Sequence, residues 1–457
     1  MSIRSLIVKL LLVMMAILPC AALAQTANLW IDTTGGTCTR QGTPATYNDA
    51  AACASMSAAI SACTAGDTIR MKAGTYGAQS INVTKTTPGC TVIAETTTTI
   101  GALTTNGAWY EIQNIVGSSG SGWSSSGANH ITCRDCSFDG GGSEAYVSWT
   151  GRYNNISWIG GSLKNIVVGP GEATAFLIFN AGTTLLVDGV TFDNVDMNSN
   201  PGDHFEVIRV DGDIDGLTIR NSTFTNNLYN TSTIFFSSVQ NLDGGAPTNF
   251  VSENNFFGSG DNAAFQENLS FTGSNCTNWT FRYNTFRVVQ TAGFTDGDCP
   301  TLVNVVWVGN LGPLEWSCEG TSYTDNVWYG ASGSACDASD SVVTTASVNF
   351  DTDGFHILTG SSAIGAGGTG ANCIATDHDG NARSSPCDAG GHEFGAGGGG
   401  PTTQTNFRLL DIGSWLLLGS LLAGLLFKGI RHGTNYSSGR WYAAGRRPRL
   451  VAQRAVH

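Results

Sequence analysis

The stretch Leu217 to Phe224, LTIRNSTF, decides the fold. Leu217 and Ile219 are apolar while Thr218 and Arg220 are polar, and this alternation marks a strand with one buried face. Asn221-Ser222 follows with residue types suited to a tight turn, and the run closes on Phe224. Versions of these eight residues recur: ITCRDCSF closes at Phe138, ISWIGGSL at Leu163, LLVDGVTF at Phe192, NFVSENNF at Phe256, WTFRYNTF at Phe286 and TSYTDNVW at Trp328. The closing residues stand 25, 29, 32, 32, 30 and 42 positions apart. Aligned on them, the columns seven and five residues earlier are mostly apolar, as in Ile131 and Cys133, Ile156 and Trp158, Leu185 and Val187. The column between, with Thr132, Ser157, Thr218 and Thr280, is mostly polar.

One such repeat cannot bury its apolar side alone, but stacked repeats can. Each then forms one coil of a solenoid, with strands of successive coils paired in parallel about 4.8 Å apart. Further strands of each coil are expected at Ala175 to Asn180, Phe205 to Val210 and Thr233 to Val239. An all-β parallel β-helix is therefore expected over residues 25–350. A propeller blade would need about 40–50 residues per repeat.

Composition agrees. Of 457 residues, 59 are Gly and only 12% are charged, with 22 Lys and Arg against 35 Asp and Glu for a net charge of -13. A nucleic-acid binder would carry a basic footprint, so no nucleic-acid partner is expected. Gly, Thr, Ser and Asn in place of Ala, Leu, Glu and Lys exclude a helical bundle. A hydrophobic share of 41% excludes a disordered acidic chain.

The ends read differently. Residues 1–24 have the form of a secretory signal peptide: Arg4 and Lys9, an apolar run from Leu10 to Leu18, and Ala22-Leu23-Ala24 as the cleavage site. Residues 397–408 read as a Gly-rich linker, and 409–428 as a short transmembrane helix. Residues 429–457 form a basic tail with Arg431, Arg440, Arg446, Arg447, Arg449 and Arg454, which places that end in the cytoplasm. Beyond Cys20, twelve cysteines in an exported chain imply disulfides. Cys38 with Cys53, Cys63 with Cys90, Cys276 with Cys299, Cys318 with Cys336, and Cys373 with Cys387 lie close enough in sequence to pair locally. Cys133-Arg-Asp-Cys136 has CxxC spacing without a second pair, which favours a structural role over zinc.

An Ala-rich helical stretch from Asp49 to Cys63 precedes Gly66-Asp67-Thr68-Ile69 and Gly74-Thr75-Tyr76. With the N-S-T-F turns, this combination resembles right-handed parallel β-helix proteins of the pectin-lyase-like superfamily, whose first coil follows a capping helix. A second resemblance covers residues 361–395. Asp377-His378-Asp379-Gly380-Asn381-Ala382-Arg383, then Asp388-Ala389-Gly390 and Glu393-Phe394, are similar to the choice-of-anchor Q segment of exported bacterial β-helix proteins. The sequence departs at Gly391-His392, where Ala and an aromatic are usual. Residues 351–396 are assigned to this segment. The two resemblances imply an extracytoplasmic protein of the bacterial cell envelope, anchored in the membrane by its C-terminal helix. The first resemblance also implies a function that binds, and in its stronger form cleaves as a lyase, an acidic polysaccharide. The alternative is a non-catalytic adhesin or rigid spacer.

No catalytic motif transfers, so candidates come from residue chemistry. In Gly202 to Arg209, His204 could serve as base, Glu206 as a second acid–base group and Arg209 as a carboxylate clamp. Arg220 and Arg282, outward and two coils apart, could grip two carboxylates of a polyuronate, or could pair with surface acids such as Asp188. Asp211, Asp213 and Asp215 open a DxDxDG pattern, so Ca²⁺ is the candidate cofactor, although the twelfth position is Ser222 in place of the bidentate Glu. Asp377, Asp379 and Asn381 form a second, weaker Ca²⁺ candidate.

Overall fold

The computed structural model describes residues 25–140, 147–151, 153–168, 173–179, 182–197, 205–212, 214–227, 232–237, 248–258, 265–268, 275–287, 301–313, 320–330 and 335–395. The predicted signal peptide, linker, transmembrane helix and basic tail lie outside these residues. Among the described residues no helix is long and apolar enough to cross a membrane.

The strands wind into a parallel β-helix with three faces. In one coil, Phe205–Asp211 lies on the third face, Ile214–Arg220 on the first and Thr223–Thr225 on the second, before Ser232–Ser237 returns to the third. The third face is an eight-stranded sheet from Gln79–Ile81 to Phe265–Asn268. Pairing between successive coils is parallel on every face, as in Ile219↔Ser252, Phe224↔Phe257 and Ile208↔Ile234.

Interior side chains repeat at the coil spacing. Phe192, Phe224, Phe257 and Phe286 stack face to face, with centroids 4.8, 4.9 and 5.1 Å apart. Each is buried, and burying a phenylalanine contributes roughly 1.5–3 kcal/mol. This register corrects the sequence alignment by one residue in one coil. Phe257, not Phe256, is the inward anchor, and with that shift Phe250 falls between Leu217 and Trp279 in the apolar column. The gap of 42 residues before Trp328 holds a further coil, Thr301–Val308 and Leu311–Pro313, that the alignment did not separate.

The bend between first and second faces explains the Asn-rich motifs. Its first residue is left-handed in coil after coil from Asp135 onward: Asp135, Asn221, Asn254, Tyr283 and Asp325 all have φ between 50° and 56°. Asn and Asp accept this conformation most readily among non-glycine residues. The next residue points inward, where Asn255, Asn284, Asn310 and Asn326 form a buried ladder ending on Asp340. Each amide donates to a backbone carbonyl of the preceding coil, as Asn284 Nδ2 does to Ser252 O at 3.0 Å. Each carbonyl oxygen accepts that coil's backbone N–H, as Asn284 Oδ1 does from Asn255 N at 3.1 Å. The ladder satisfies polar backbone that the bend would otherwise bury unpaired.

The expected N-terminal helix is shorter than its Ala-rich stretch. An α-helix spans Met56–Ala62, with the Ser55 side chain capping Ala58 N, and a 3₁₀ turn spans Asp49–Ala51. Met56, Ala59 and Ile60 close the first end of the core. Disulfides Cys38–Cys53, Cys63–Cys90 and Cys373–Cys387 join the pairs expected from local spacing, and Cys133 pairs with Cys136. Cys276 and Cys336 are disulfide-bonded as well.

Residues 345–395 have little regular structure and dock on the outer side of the second face. The outward Phe256 stacks on His378 at 4.1 Å and on Phe355 at 4.9 Å. Leu311, Val327 and Tyr329 form a second apolar core with Val348, Ile357, Ala363 and Ala389. Gly391 is required here because a Cβ would come within 2.5 Å of the Phe256 ring.

Candidate functional site

Of the residues proposed from sequence, His204 and Asp213 lie outside the described residues. Glu206 and Arg209 share the strand Phe205–Asp211 but stand three residues apart, so alternation puts them on opposite sides. Glu206 lies on the side of the wholly buried Ile208 and Val210 and is itself 1% exposed. Arg209 Nε donates to Asp211 at 3.0 Å, and its guanidinium lies 5.8 Å from the Phe235 ring. Asp211 is therefore neutralised by Arg209. Asp215 sits on the next strand around the bend, where it accepts from Thr248 Oγ1 at 3.2 Å and Asn249 Nδ2 at 2.5 Å. Asp211 and Asp215 thus have different hydrogen-bond partners.

Arg220 and Arg282 are two coils apart, joined through the register Arg220↔Glu253↔Arg282. Each pairs with an acid of the preceding coil, Arg220 with Asp188 at 2.8 Å and Arg282 with Glu253. Arg134 and Glu111 do the same at 2.9 Å. The arrangement is a surface ion-pair ladder. In the second Ca²⁺ candidate, the Asp377 carboxylate accepts from Asp379 N, Asn381 N, Asn381 Nδ2 and Glu393 N at 2.7–3.2 Å. Its lone pairs organise the loop.

A different group of residues converges at the N-terminal end of the first face. Strand alternation turns Ile69 and Met71 inward and Arg70 outward. Arg70 pairs in register with Trp30 on one side and Ile93 on the other. Together with Tyr47, Lys72, Glu95 and Asn114 they line a groove of about 700 Å³. Tyr47 provides the exposed aromatic surface, at 38% exposure, and the buried Trp30 braces it edge-on at 5.5 Å. The Trp30 indole donates to Ala45 O at 3.0 Å. The Tyr47 hydroxyl lies 2.6 Å from Asp32 and 2.9 Å from Asp49 and shares its proton between them. That bond to Asp32 raises the Tyr47 phenol well above its ordinary range. Burial pushes Asp32 up, but the Tyr47 hydroxyl and the N–H groups of Gly35 and Thr34 hold it below the usual carboxylate value.

Lys72 Nζ lies 5.2 Å from the Tyr47 centroid and 5.7 Å from that of Trp30, and pairs with Glu95 at 3.0 Å. Arg70 Nη1 donates to Gln25 at 2.9 Å. The groove thus combines a pinned aromatic face, the Arg70 guanidinium, the Lys72–Glu95 ion pair and neutral amide groups. Sequence reasoning passed over it because Trp30 and Tyr47 precede the first repeat. The legible signal was TIRMK, residues 68–72, which puts Arg70 and Lys72 two apart on the outward side of a strand.

No family model matches the sequence, and no curated protein matches it. Among solved structures, the chain is similar to pectate lyase Pel9A, with TM-score 0.42 and 14% identity over 80% of this chain and 96% of that one. It is also similar to the PL6 family alginate lyase AlyGC, with TM-score 0.32 and 13% identity over 66% of this chain and 54% of that one.

Proposed function

We propose that this protein is an extracytoplasmic β-helix that binds acidic polysaccharide in the groove of Tyr47, Trp30, Arg70 and Lys72. The observation that carries the reading is an aromatic surface held rigid beside the Arg70 guanidinium and the Lys72–Glu95 ion pair. The C–H face of a pyranose ring stacks on such a surface, and the Arg70 guanidinium answers its carboxylate. The hydrogen bonds of Tyr47 and Trp30 hold the rings in place before ligand arrives, which lowers the ordering cost of binding.

The disulfides support an oxidising compartment. Export by residues 1–24, anchoring in the bacterial envelope by 409–428 and a choice-of-anchor role for 351–396 complete the proposal. The purified chain, with and without Ca²⁺, is to be titrated with polygalacturonate, alginate and an uncharged glucan. Tyr47→Ala and Arg70→Ala should each weaken binding to the acidic polymers by about tenfold or more. Unchanged affinity in the double variant would remove the groove. Ultraviolet absorbance from an unsaturated product would add cleavage to binding, and binding without it leaves the adhesin.

A further inference from the structure

Three side chains that the polysaccharide reading does not use meet in the docked C-terminal segment. One ligand atom from each of His356, Asp379 and His392 lies within 4.8 Å of the other two, and all three residues are half-buried. His356 Nε2 is 2.9 Å from Asp379 Oδ2, and His356 Nδ1 is hydrogen-bonded to Asp353. The two imidazole rings meet edge to face with centroids 4.6 Å apart. We propose that His356, Asp379 and His392 bind a divalent transition metal of the Zn²⁺ type.

The ligand chemistry argues for this class. Two imidazoles and a carboxylate are a zinc set, whereas Ca²⁺ takes six or more oxygens. Asp353 occupies Nδ1 of His356 and so fixes which nitrogen faces Asp379. A carboxylate that orients a ligating histidine in this way is a recurrent support of metal sites. Without metal, the ring carries a proton on both nitrogens to reach both carboxylates. The metal takes the place of the proton between Nε2 and Asp379, which is released to solvent, while Nδ1–H stays on Asp353. His392 Nδ1 now accepts Ile357 N–H at 3.2 Å. A neutral imidazole has one lone pair, so ligation by either nitrogen gives up this long contact. The Asp377 loop, tied by its four N–H contacts, holds Asp379 in position. Three protein ligands leave a fourth tetrahedral position for water or an incoming group.

The test uses the full chain, stripped with chelator and dialysed against ZnCl₂. One equivalent of zinc is expected to remain and to raise Tm. Asp379→Asn and His392→Gln should abolish retention, and Asp353→Asn should weaken it by about 10–100-fold without removing the ligands. Zinc retained equally by the Asp379→Asn and His392→Gln variants, or none retained by the wild type, overturns the proposal. Should a variant fail to fold, X-ray absorption of the wild-type zinc adduct decides. Imidazole neighbours with Zn–N near about 2.0–2.1 Å support the site, and a shell without imidazole sinks it. Neither arm depends on polysaccharide binding.

Discussion

The β-helix body and the segment docked on its second face use opposite kinds of polar chemistry. The body repeats one neutral side chain: Asn255, Asn284, Asn310 and Asn326 occupy the same position in successive coils, and each does the same work. The segment 345–395 uses buried charges, each placed once. Arg383 and Glu393 pair at 3.3 Å with both side chains fully buried. Arg383 also donates to Asp388 O, Gly390 O and Asn254 Oδ1, and lies 4.4 Å from the Tyr283 ring. A repeated neutral contact spreads its contribution along the solenoid, while a single buried charge concentrates it. Damage to the segment should therefore be abrupt and damage to the body graded.

The largest expected effect comes from Arg383→Met. It strands the buried Glu393 and removes the donors that tie the segment to Asn254. A loss of about 3–5 kcal/mol in urea unfolding is expected for breaking one side of a buried pair. A loss under about 1 kcal/mol would mean that the segment is not held by its charges.

The second effect depends on pH and belongs to the metal-free chain. Hydrogen bonds to Asp379 and then Asp353, against the opposing effect of burial, raise His356 to about 9 from 6.5. Its contribution is full below pH 6.5 and is lost as pH rises through about 9, for a total of about 2–3 kcal/mol. Burial lowers His378 and His392, which face the same cluster, so these two oppose folding as pH falls below 6.5. In chelator, the urea midpoint should fall between pH 6.5 and 9, and His356→Gln should flatten that limb alone. An unchanged limb in the variant would show that another group titrates.

The third effect probes the body. Asn284→Ala orphans the buried Asn255 N–H and the Ser252 carbonyl, at a cost of about 1–3 kcal/mol. Hydrogen exchange should quicken at Asn255 and its neighbouring coils and leave the first coils protected. A global change of the Arg383 kind would erase the distinction between the two regions.

What could be read from sequence follows the same division. The body was legible because each column is written many times, and alternation with turn chemistry suffices to place a strand. It failed where a coil offers two equivalent anchors. In NNFF both phenylalanines fit the pattern, and only pairing shows Phe257 inward and Phe256 outward under His378. The compressed coil at 301–313 was missed because its anchor position, in register with Trp328, is Gly312, so no large apolar residue closes the run. The groove and the His356 cluster had no column to announce them. Their residues, Trp30 with Arg70 or His356 with His392, are brought together by the winding and the docking and have no fixed spacing.

The smallest effect separates the ladder on the first face from a binding surface. Arg220 and Asp188 are 41% and 17% exposed, so solvent screens their attraction, and Arg220→Ala should cost no more than about 0.5 kcal/mol. In a ladder, Asp188→Ala has an equally small effect, and neither change alters affinity for acidic polysaccharide. In a clamp, Asp188→Ala would free Arg220 for the ligand and tighten binding, while Arg220→Ala would weaken it. Opposite signs in the two affinities would return Arg220 to the binding surface and extend the groove along the solenoid. Equal null results confine it to the coils around Tyr47 and Arg70.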